Sequence, residues 1–188
     1  VEAIREVIRQ DVPEARVWQR VHRSTQEAFW RRVAESYDLR RSDYLKMLDE
    51  SDKCGPGSVT WDPNYEYPEY AKVETHLQDG GFVNDMLSGL RFDYGTRIFH
   101  GSASEEDFMH KALAARVELP LDSTLKRVMD IGCADGKLTT EIKKRLPDAE
   151  VWGSDISAGM VRYAHYRAMQ QGVEVHFLQK AAEDLDEL

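Results

Sequence analysis

Cysteine is scarce in this sequence, which holds only Cys54 and Cys133 in 188 residues. Two cysteines cannot build a disulfide framework or, by themselves, a zinc site, so a reduced setting is predicted and no metal site is expected. Uninterrupted apolar runs of transmembrane length are missing, and the charged N-terminus lacks the apolar core of a secretory signal. We therefore predict a cytoplasmic protein without a membrane partner.

Positive charge is also in short supply, because 25 basic residues face 34 acidic ones and the net charge is −9. This balance argues against a nucleic-acid partner, whose binding depends on a large basic surface. Internal repeats and low-complexity tracts are absent. The hydrophobic fraction of 41% is ordinary for a globular protein. The length suits one domain, or one domain with a helical extension.

Residues 1–120 predict a mostly helical and loop-rich region. Residues 1–51 read as helical, with Pro13 near the start and one apolar face formed by Trp18, Val21, Thr25, Phe29, Val33 and Tyr37. Residues 54–101 contain glycine and proline breakers among many aromatic side chains, which predicts an ordered loop layer. Ser104 is expected to cap a further helix that ends near Val117. We interpret residues 1–120 as a lid or substrate-selecting region.

Residues 121–188 show a different pattern, with short apolar strands alternating with helices. Strands are predicted at 127–131, 150–154 and 173–178. The first intervening helix begins at Asp135-Gly136, and the second is capped by Ser157. This order predicts an α/β fold with a Rossmann-like parallel sheet, in which the connections are right-handed.

A glycine-rich turn, Asp130-Ile131-Gly132-Cys133-Ala134-Asp135-Gly136, joins the first strand to the first helix. Gly132 permits the backbone angles of a sharp turn, and Gly136 permits close approach of a ligand or a neighbouring backbone. The spacing differs from the G-x-G-x-x-G of dinucleotide sites, and Asp130 favours a cationic ligand over a phosphate. Asp155 ends the second strand, where an acid accepts hydrogen bonds from ribose hydroxyls. Together they indicate a nucleoside that carries an amino acid.

The segment from Val128 to Leu185 resembles motifs I to III of class I (Rossmann-like) S-adenosylmethionine-dependent methyltransferases of the small-molecule type. Besides the glycine-rich turn, the resemblance rests on Asp155-Ile156-Ser157-x-x-Met160 and on Ala182-Glu183-Asp184-Leu185. It implies S-adenosylmethionine as cofactor, S-adenosylhomocysteine as product and a small-molecule acceptor. Ala134 and Ala181 depart from the pattern, since a glycine and an acid are common at these two places.

The resemblance also implies individual roles. Asp130, Gly132 and Gly136 correspond to positions at the amino-acid part of the cofactor, Asp155 to the ribose-binding acid, and Ile156 and the third motif to the adenine side. The complete set of expected cofactor-binding residues is Asp130, Gly132, Cys133, Ala134, Gly136, Asp155, Ile156, Met160, Ala182 and Glu183. Three readable strands, where the class has seven, predict a chain truncated after the third motif. A homodimer contact or a complementing C-terminal segment is then expected.

No catalytic base is evident, and His76 and Tyr94 are the weak candidates. His76 and Gln78 lie beside two glycines, where they can contact substrate or satisfy loop backbone groups. Tyr94 can cover the cofactor or simply pack. The lone histidines, His100 and His110, are interpreted as structural. A cluster of three tyrosines serves either as packing or as a wall for an aromatic substrate: Tyr65, Tyr67 and Tyr70.

Three functions remain open from the sequence. Methyl transfer from S-adenosylmethionine to an oxygen, nitrogen or carbon atom of a small molecule is the first. A non-catalytic cofactor-binding fragment or interaction module is the second, because strands are missing. A nicotinamide-dependent dehydrogenase is the third, and the absent G-x-G-x-x-G spacing and Asp130 disfavour it.

Overall fold

The computed structural model describes residues 6–7, 10–73, 77–78, 81–99, 107–120 and 125–187. No helix in these ranges is long and apolar enough to cross a membrane. The helices are α1 (Pro13–Asp38), α2 (Arg41–Ser51), α3 (Ser88–Phe99), α4 (Phe108–Arg116), α5 (Lys137–Arg145) and α6 (Ala158–Gln170), and two short 3₁₀ helices span Glu69–Lys72 and Ala182–Glu187. The strands are β1 (Ser58–Thr60), β2 (Arg127–Ile131), β3 (Glu150–Asp155) and β4 (His176–Gln179).

The four strands form one parallel sheet in the order β1-β4-β3-β2. The segment from β2 to β4 follows the strand-helix-strand-helix-strand order, so the predicted α/β fold with a helical N-terminal region is confirmed. The last strand is shorter than predicted, since pairing with β3 begins at His176 rather than Val173. β1 was not predicted, because three residues after a glycine-proline breaker carry no periodic signal and only the pairing with β4 makes them a strand.

The main core lies on the face of the sheet that α5 and α6 cover. Val151 of β3 and Phe177 of β4 are almost fully buried there, against Val161 and Ala164 of α6. Apolar side chains stand on the opposite face, where Ile131 is 57% exposed. Met129, Trp152 and Leu185 line a cavity of about 340 Å³ on that face. Within the described ranges β2 pairs with β3 alone, so it forms an edge of the sheet.

Helix α3 corrects the prediction of a loop layer over residues 54–101. Gly89 and Gly95 resemble breakers in the sequence, yet both allow close helix packing. A Cβ on Gly89 would lie 2.5 Å from the carbonyl oxygen of Gly159 on α6, and a Cβ on Gly95 would lie 2.1 Å from the Trp30 ring of α1. The two glycines therefore let α3 fit between α1 and α6, which a reading of local propensity cannot reveal.

Helix α1 does not bury its apolar residues as one face. Val33 is 5% exposed, whereas Trp18 is 68% exposed and Val21 is 52% exposed. The predicted stripe advances mostly in steps of four residues, and each such step turns about 40° further around a helix of 3.6 residues per turn. The stripe therefore winds around α1, and only its C-terminal half reaches the body of the protein.

The helix expected from Ser104 begins at Phe108 in the structure, with Asp107 at the N-cap position in a left-handed conformation (φ 56°). The proposed cap at Ser104 lies outside the described residues. By contrast, Ser157 caps α6 as predicted, since its side chain accepts a hydrogen bond from the Met160 N–H. That cap fixes the start of α6 next to the end of β3.

Candidate cofactor site

A cavity of about 360 Å³ opens at the carboxyl end of β3, beside the glycine-rich turn. Four residues predicted from the motifs line it: Ala134, Asp155, Ile156 and Met160. Its volume falls within the range of small-molecule sites, which is about 300–1,000 Å³. The position also agrees with the rule that ligands of open α/β sheets bind outside the carboxyl ends of the strands. The structure therefore brings these four predicted residues together.

Asp155 is the charged residue in the lining of this cavity, and its carboxylate is held in place by backbone groups. One oxygen accepts a hydrogen bond from the Ala134 N–H at 3.0 Å, and the other accepts one from the Ser157 N–H at 2.9 Å. Burial raises the pKa of this carboxyl group, and the two N–H donors oppose that rise. Each oxygen keeps acceptor capacity, so a ligand hydroxyl can bind without moving the side chain.

The glycines of the turn have different surroundings, although both have positive φ. A Cβ on Gly132 (φ 75°) would meet nothing within 4 Å, so open space lies in front of it. A Cβ on Gly136 (φ 71°) would lie 2.6 Å from the Cβ of Ala164 and 2.9 Å from the Phe177 ring. Gly136 is therefore needed for packing of the turn against α6 and β4, and the predicted close approach is by side chains of the protein.

Cys133 and Asp130 face away from the lining of the cavity. Cys133 is 6% exposed and belongs to the main core, where burial raises the pKa of its thiol. The Asp130 carboxylate turns toward α5 and accepts a hydrogen bond from the Thr139 hydroxyl at 2.6 Å. Burial raises the pKa of Asp130, and the Thr139 hydrogen bond opposes the rise. Cys133 and Asp130 therefore stabilise the turn from the side opposite the cavity.

The sequence motifs missed the second wall of the cavity, which the N-terminal region supplies. This wall consists of Tyr70, Ala71, Val73, Phe82, Val83 and Phe92. Phe92 lies on α3, and its ring meets the ring of Phe82 edge to face at 5.6 Å. The apolar character of these residues fits the faces of a bound heteroaromatic ring. The many aromatic residues between Trp61 and Tyr70 were a signal of this wall in the sequence. No sequence pattern indicated that Phe92 belongs to it.

Hydrogen bonds tie the aromatic segment 61–70 to the carboxyl end of β4. The Gln179 side chain accepts from the Asp62 N–H at 3.0 Å and donates to the Tyr67 hydroxyl at 3.0 Å. The Tyr70 hydroxyl donates to Glu183 in the third motif. Glu183 therefore reaches the cavity through Tyr70, and both Glu183 and its neighbour Ala182 are exposed.

Of the two weak catalytic candidates, Tyr94 lies among the described residues, and it does not line the cavity. His76 lies outside the described residues, as does His100. Tyr94 points to the other side of α3, where it is 47% exposed and packs against Tyr37 with ring centroids 6.3 Å apart. Tyr94 therefore does not cover the cavity, whereas Phe92 on the same helix lines it. His110 is half-buried on α4.

The parallel sheet, the glycine-rich turn and the acid at the end of β3 are those of a Rossmann-like fold. Comparison with known proteins gives the family. Residues 128–188 match the family model described as "Methyltransferase domain". This segment, about a third of the chain, is similar to the class I S-adenosylmethionine-dependent methyltransferases, whose cofactor is S-adenosylmethionine. The prediction of this family is confirmed.

Curated relatives match between 29% and 49% of the chain. Demethylmenaquinone methyltransferase of Thermus thermophilus is 38% identical over 66 residues, which are 35% of this chain and 30% of the relative. Trans-aconitate 2-methyltransferase of Rhodopseudomonas palustris is 40% identical over 63 residues, which are 34% of this chain and 24% of the relative. Carboxy-S-adenosyl-L-methionine synthase of Nitratiruptor is 45% identical over 56 residues, which are 29% of this chain and 23% of the relative.

The malonyl-[acyl-carrier protein] O-methyltransferase of Acetivibrio thermocellus is 29% identical over 92 residues, and the chain spans between 23% and 32% of the length of these four relatives. Among solved structures, the plantazolicin methyltransferase BpumL, in complex with S-adenosylhomocysteine and a pentazolic desmethylPZN analog, aligns with a TM-score of 0.37 and 18% identity. That alignment covers 54% of this chain and 40% of BpumL. A likeness at this level supports no conclusion about function.

Proposed function

We propose that this chain binds S-adenosylmethionine in the 360 Å³ cavity and belongs to an enzyme that transfers its methyl group to a small molecule. The observation that carries the proposal is the oriented carboxylate of Asp155 at the carboxyl end of β3, inside a cavity that the methyltransferase segment lines. An acid in this position accepts hydrogen bonds from ribose hydroxyls in related folds.

The residues present fit such a cofactor. Asp155 would hold the ribose, Ile156 and Met160 would contact the adenine, and Gly132 leaves open space beside the turn for the amino-acid part. Ala134 contributes its N–H to the orientation of Asp155. Gly136, Cys133 and Asp130 act indirectly, because their contacts hold the turn against α5, α6 and β4. Glu183 would act from the edge through Tyr70, and Ala182 is its neighbour in the third motif.

When bound, S-adenosylmethionine supplies a methyl group that its sulfonium already makes electrophilic. The protein therefore contributes mainly binding, orientation and exclusion of water. Phe82, Val83 and Phe92 form an apolar wall that can exclude water from the cavity. A general base is required only for an acceptor that must lose a proton. The described residues place no histidine in the lining of the cavity.

The choice of acceptor is left open by the comparisons, since the relatives act on demethylmenaquinone, malonyl-[acyl-carrier protein] and trans-aconitate according to their names. The family model covers only residues 128–188, which lie in the proposed cofactor half. These three acceptors form the first panel for a methyl-transfer assay with radiolabelled S-adenosylmethionine.

We propose that residues 1–120 act as the substrate-selecting region and 121–188 as the cofactor half, although β1 of the first part pairs with β4 of the second. Among the described residues β2 pairs with β3 alone, and this edge and the apolar side chains beside it support a complementing C-terminal segment or a second copy as partner. The free cysteines, Cys54 and Cys133, support a cytoplasmic location.

Isothermal titration with S-adenosylhomocysteine tests the proposal. Asp155→Asn keeps the size of the side chain but removes its charge, so affinity should fall about 10- to 100-fold. Glu150→Ala is the matched control, because Glu150 stands at the opposite end of β3, outside the lining of the cavity, and its carboxylate accepts a hydrogen bond from the Trp152 indole N–H. NAD⁺ is the control ligand for the dehydrogenase alternative.

Saturable binding of S-adenosylhomocysteine that Asp155→Asn weakens and Glu150→Ala leaves unchanged supports the proposal. Tighter binding of NAD⁺ than of S-adenosylhomocysteine would reverse the assignment. A folded chain that binds neither ligand would contradict a cofactor site in this cavity.

A further inference from the structure

A buried network of charges lies behind the glycine-rich turn, away from the cavity. Its centre is Lys137, the first residue of α5, whose side chain is 2% exposed. The ammonium group lies 2.6 Å from a carboxylate oxygen of Asp93 and 2.9 Å from one of Asp135. It also donates to the Thr96 hydroxyl at 3.3 Å. Burial of an ammonium group is costly unless such partners replace its hydration. The buried position of Lys137 therefore depends on these contacts.

Asp93 connects this centre to two helices. It lies on α3 and is 4% exposed. Its second oxygen accepts hydrogen bonds from the Tyr163 hydroxyl of α6 at 2.7 Å and from Arg97 at 2.8 Å. Burial alone would raise the pKa of Asp93, but the hydrogen bond and charge of Lys137 lower it to about 2. Asp93 is therefore an ionised group that joins α3, α5 and α6.

The network encloses the end of the glycine-rich turn. Asp135 and Lys137 flank Gly136, whose positive φ would be costly for any other residue. The Gly136 N–H donates to the Cys133 carbonyl at 2.9 Å, which closes the turn. Because Lys137 holds Asp135 and Asp93 holds Lys137, the conformation of residues 132–136 depends on a side chain from α3.

We propose that Asp93 is a positioning residue that sets the shape of the glycine-rich turn through Lys137 and Asp135, and thereby the affinity for the amino-acid part of the cofactor. The inference rests on the proposed function, and Asp93 itself does not line the cavity. The adenosine side has its own support, because Asp155 is fixed by β3 and by the Ser157 N–H. Loss of Asp93 should therefore weaken binding of the amino-acid part of the cofactor more than binding of the adenosine part.

Two probes separate these ends, S-adenosylhomocysteine and 5′-methylthioadenosine, which lacks the amino-acid part. Titration of the chain with both should show that Asp93→Asn weakens S-adenosylhomocysteine about tenfold and leaves 5′-methylthioadenosine within about twofold. Arg97→Gln is the matched control, because it removes a partner of the same carboxylate without contacting Lys137. If Asp93→Asn does not fold, Asp93→Glu keeps the charge and displaces the carboxylate by one methylene group. It should show the same selectivity at about threefold.

Selective loss of S-adenosylhomocysteine in either Asp93 variant, with Arg97→Gln unchanged, supports the proposal. Equal weakening of both probes would show a merely structural role and overturn it, as would unchanged binding of both. A wild-type chain that binds neither probe would overturn the proposed function and this inference with it.

Discussion

The segment from β2 to β4 and the region before it build the same cavity but differ in how their structure arises. In the segment, most elements pair with or pack on near neighbours in sequence, as when β3 pairs with β2 and α6 packs on β3 and β4. In the earlier region, the elements gain their partners at long range. Ser58 of β1, for example, bonds to His176 across 118 positions of sequence. Local pattern therefore describes one wall of the cavity, and only the folded chain reveals the other.

The largest expected effect concerns Gly136 in the locally encoded segment. In Gly136→Val the new side chain would collide with Ala164 and Phe177 in a backbone with φ of 71°. The free energy of unfolding should fall by about 3 kcal/mol or more in a urea titration. Gly132→Ala shares the positive φ but meets open space, so a loss of about 1 kcal/mol is expected. Equal losses would mean that conformation alone, and not packing, requires Gly136.

Acid unfolding compares the charges of the two regions. The pKa of Asp93 on α3 is about 2, against an ordinary value of 3.8, so its ionisation stabilises the fold above about pH 4. That contribution, roughly 2 kcal/mol, should disappear between about pH 4 and pH 2. The pKa values of Asp130, Asp135 and Asp155 are raised by burial, so protonation of these acids relieves a cost instead.

Urea titrations of the wild type and Asp93→Asn across this pH range measure the difference. The difference in the free energy of unfolding between the wild type and Asp93→Asn should become smaller as the pH falls from about 4 to about 2. A gap that stays constant down to pH 2 would contradict an ionised Asp93.

Phe92 tests whether the long-range wall contributes to binding. Phe92→Ala removes an aromatic ring from the lining of the cavity, and affinity for S-adenosylhomocysteine should fall about tenfold. Ile98→Ala is the control on the same helix, since Ile98 is 48% exposed and does not line the cavity. If the two variants bind alike, the cofactor site consists of the locally encoded segment alone.

Tyr70→Phe should give the smallest effect. The change removes one exposed hydrogen bond to Glu183 and keeps the ring at the edge of the cavity. Affinity for S-adenosylhomocysteine should weaken about threefold, through faster dissociation in a stopped-flow measurement. Tyr44→Phe, which alters a phenol away from the cavity, should bind like the wild type. A Tyr70→Phe variant that dissociates no faster would leave Glu183 without a role at this site.

Several features of the fold followed from the sequence because their signals are local. The strand, glycine and helix order around Gly132 and the Ser157 cap each lie within a few residues, and both predicted the structure correctly. The position of Asp155 at the end of a strand was predicted for the same reason. The sequence also placed the acid and the turn in one site, because carboxyl ends of parallel strands share an edge.

Other features depended on contacts that no short window contains. Leu87, Leu90 and Tyr94 stand at helical spacing and could have indicated α3, but Gly89 and Gly95 obscured the signal. Whether Gly89 breaks or packs a helix depends on Gly159, which lies 70 residues further along. The direction of Phe92 into the cavity and of Tyr94 away from it depends in turn on how α3 lies against α6.

Hydrogen exchange with and without S-adenosylhomocysteine tests most directly whether both regions build the site. Peptides covering 131–137 and 154–161 should gain protection, and so should peptides covering 67–73 and 88–99, because Tyr70 and Phe92 line the same cavity as Asp155. Protection in all four peptides is the predicted result. Protection confined to 131–137 and 154–161 would contradict the account, since the N-terminal region would then take no part in the cofactor site.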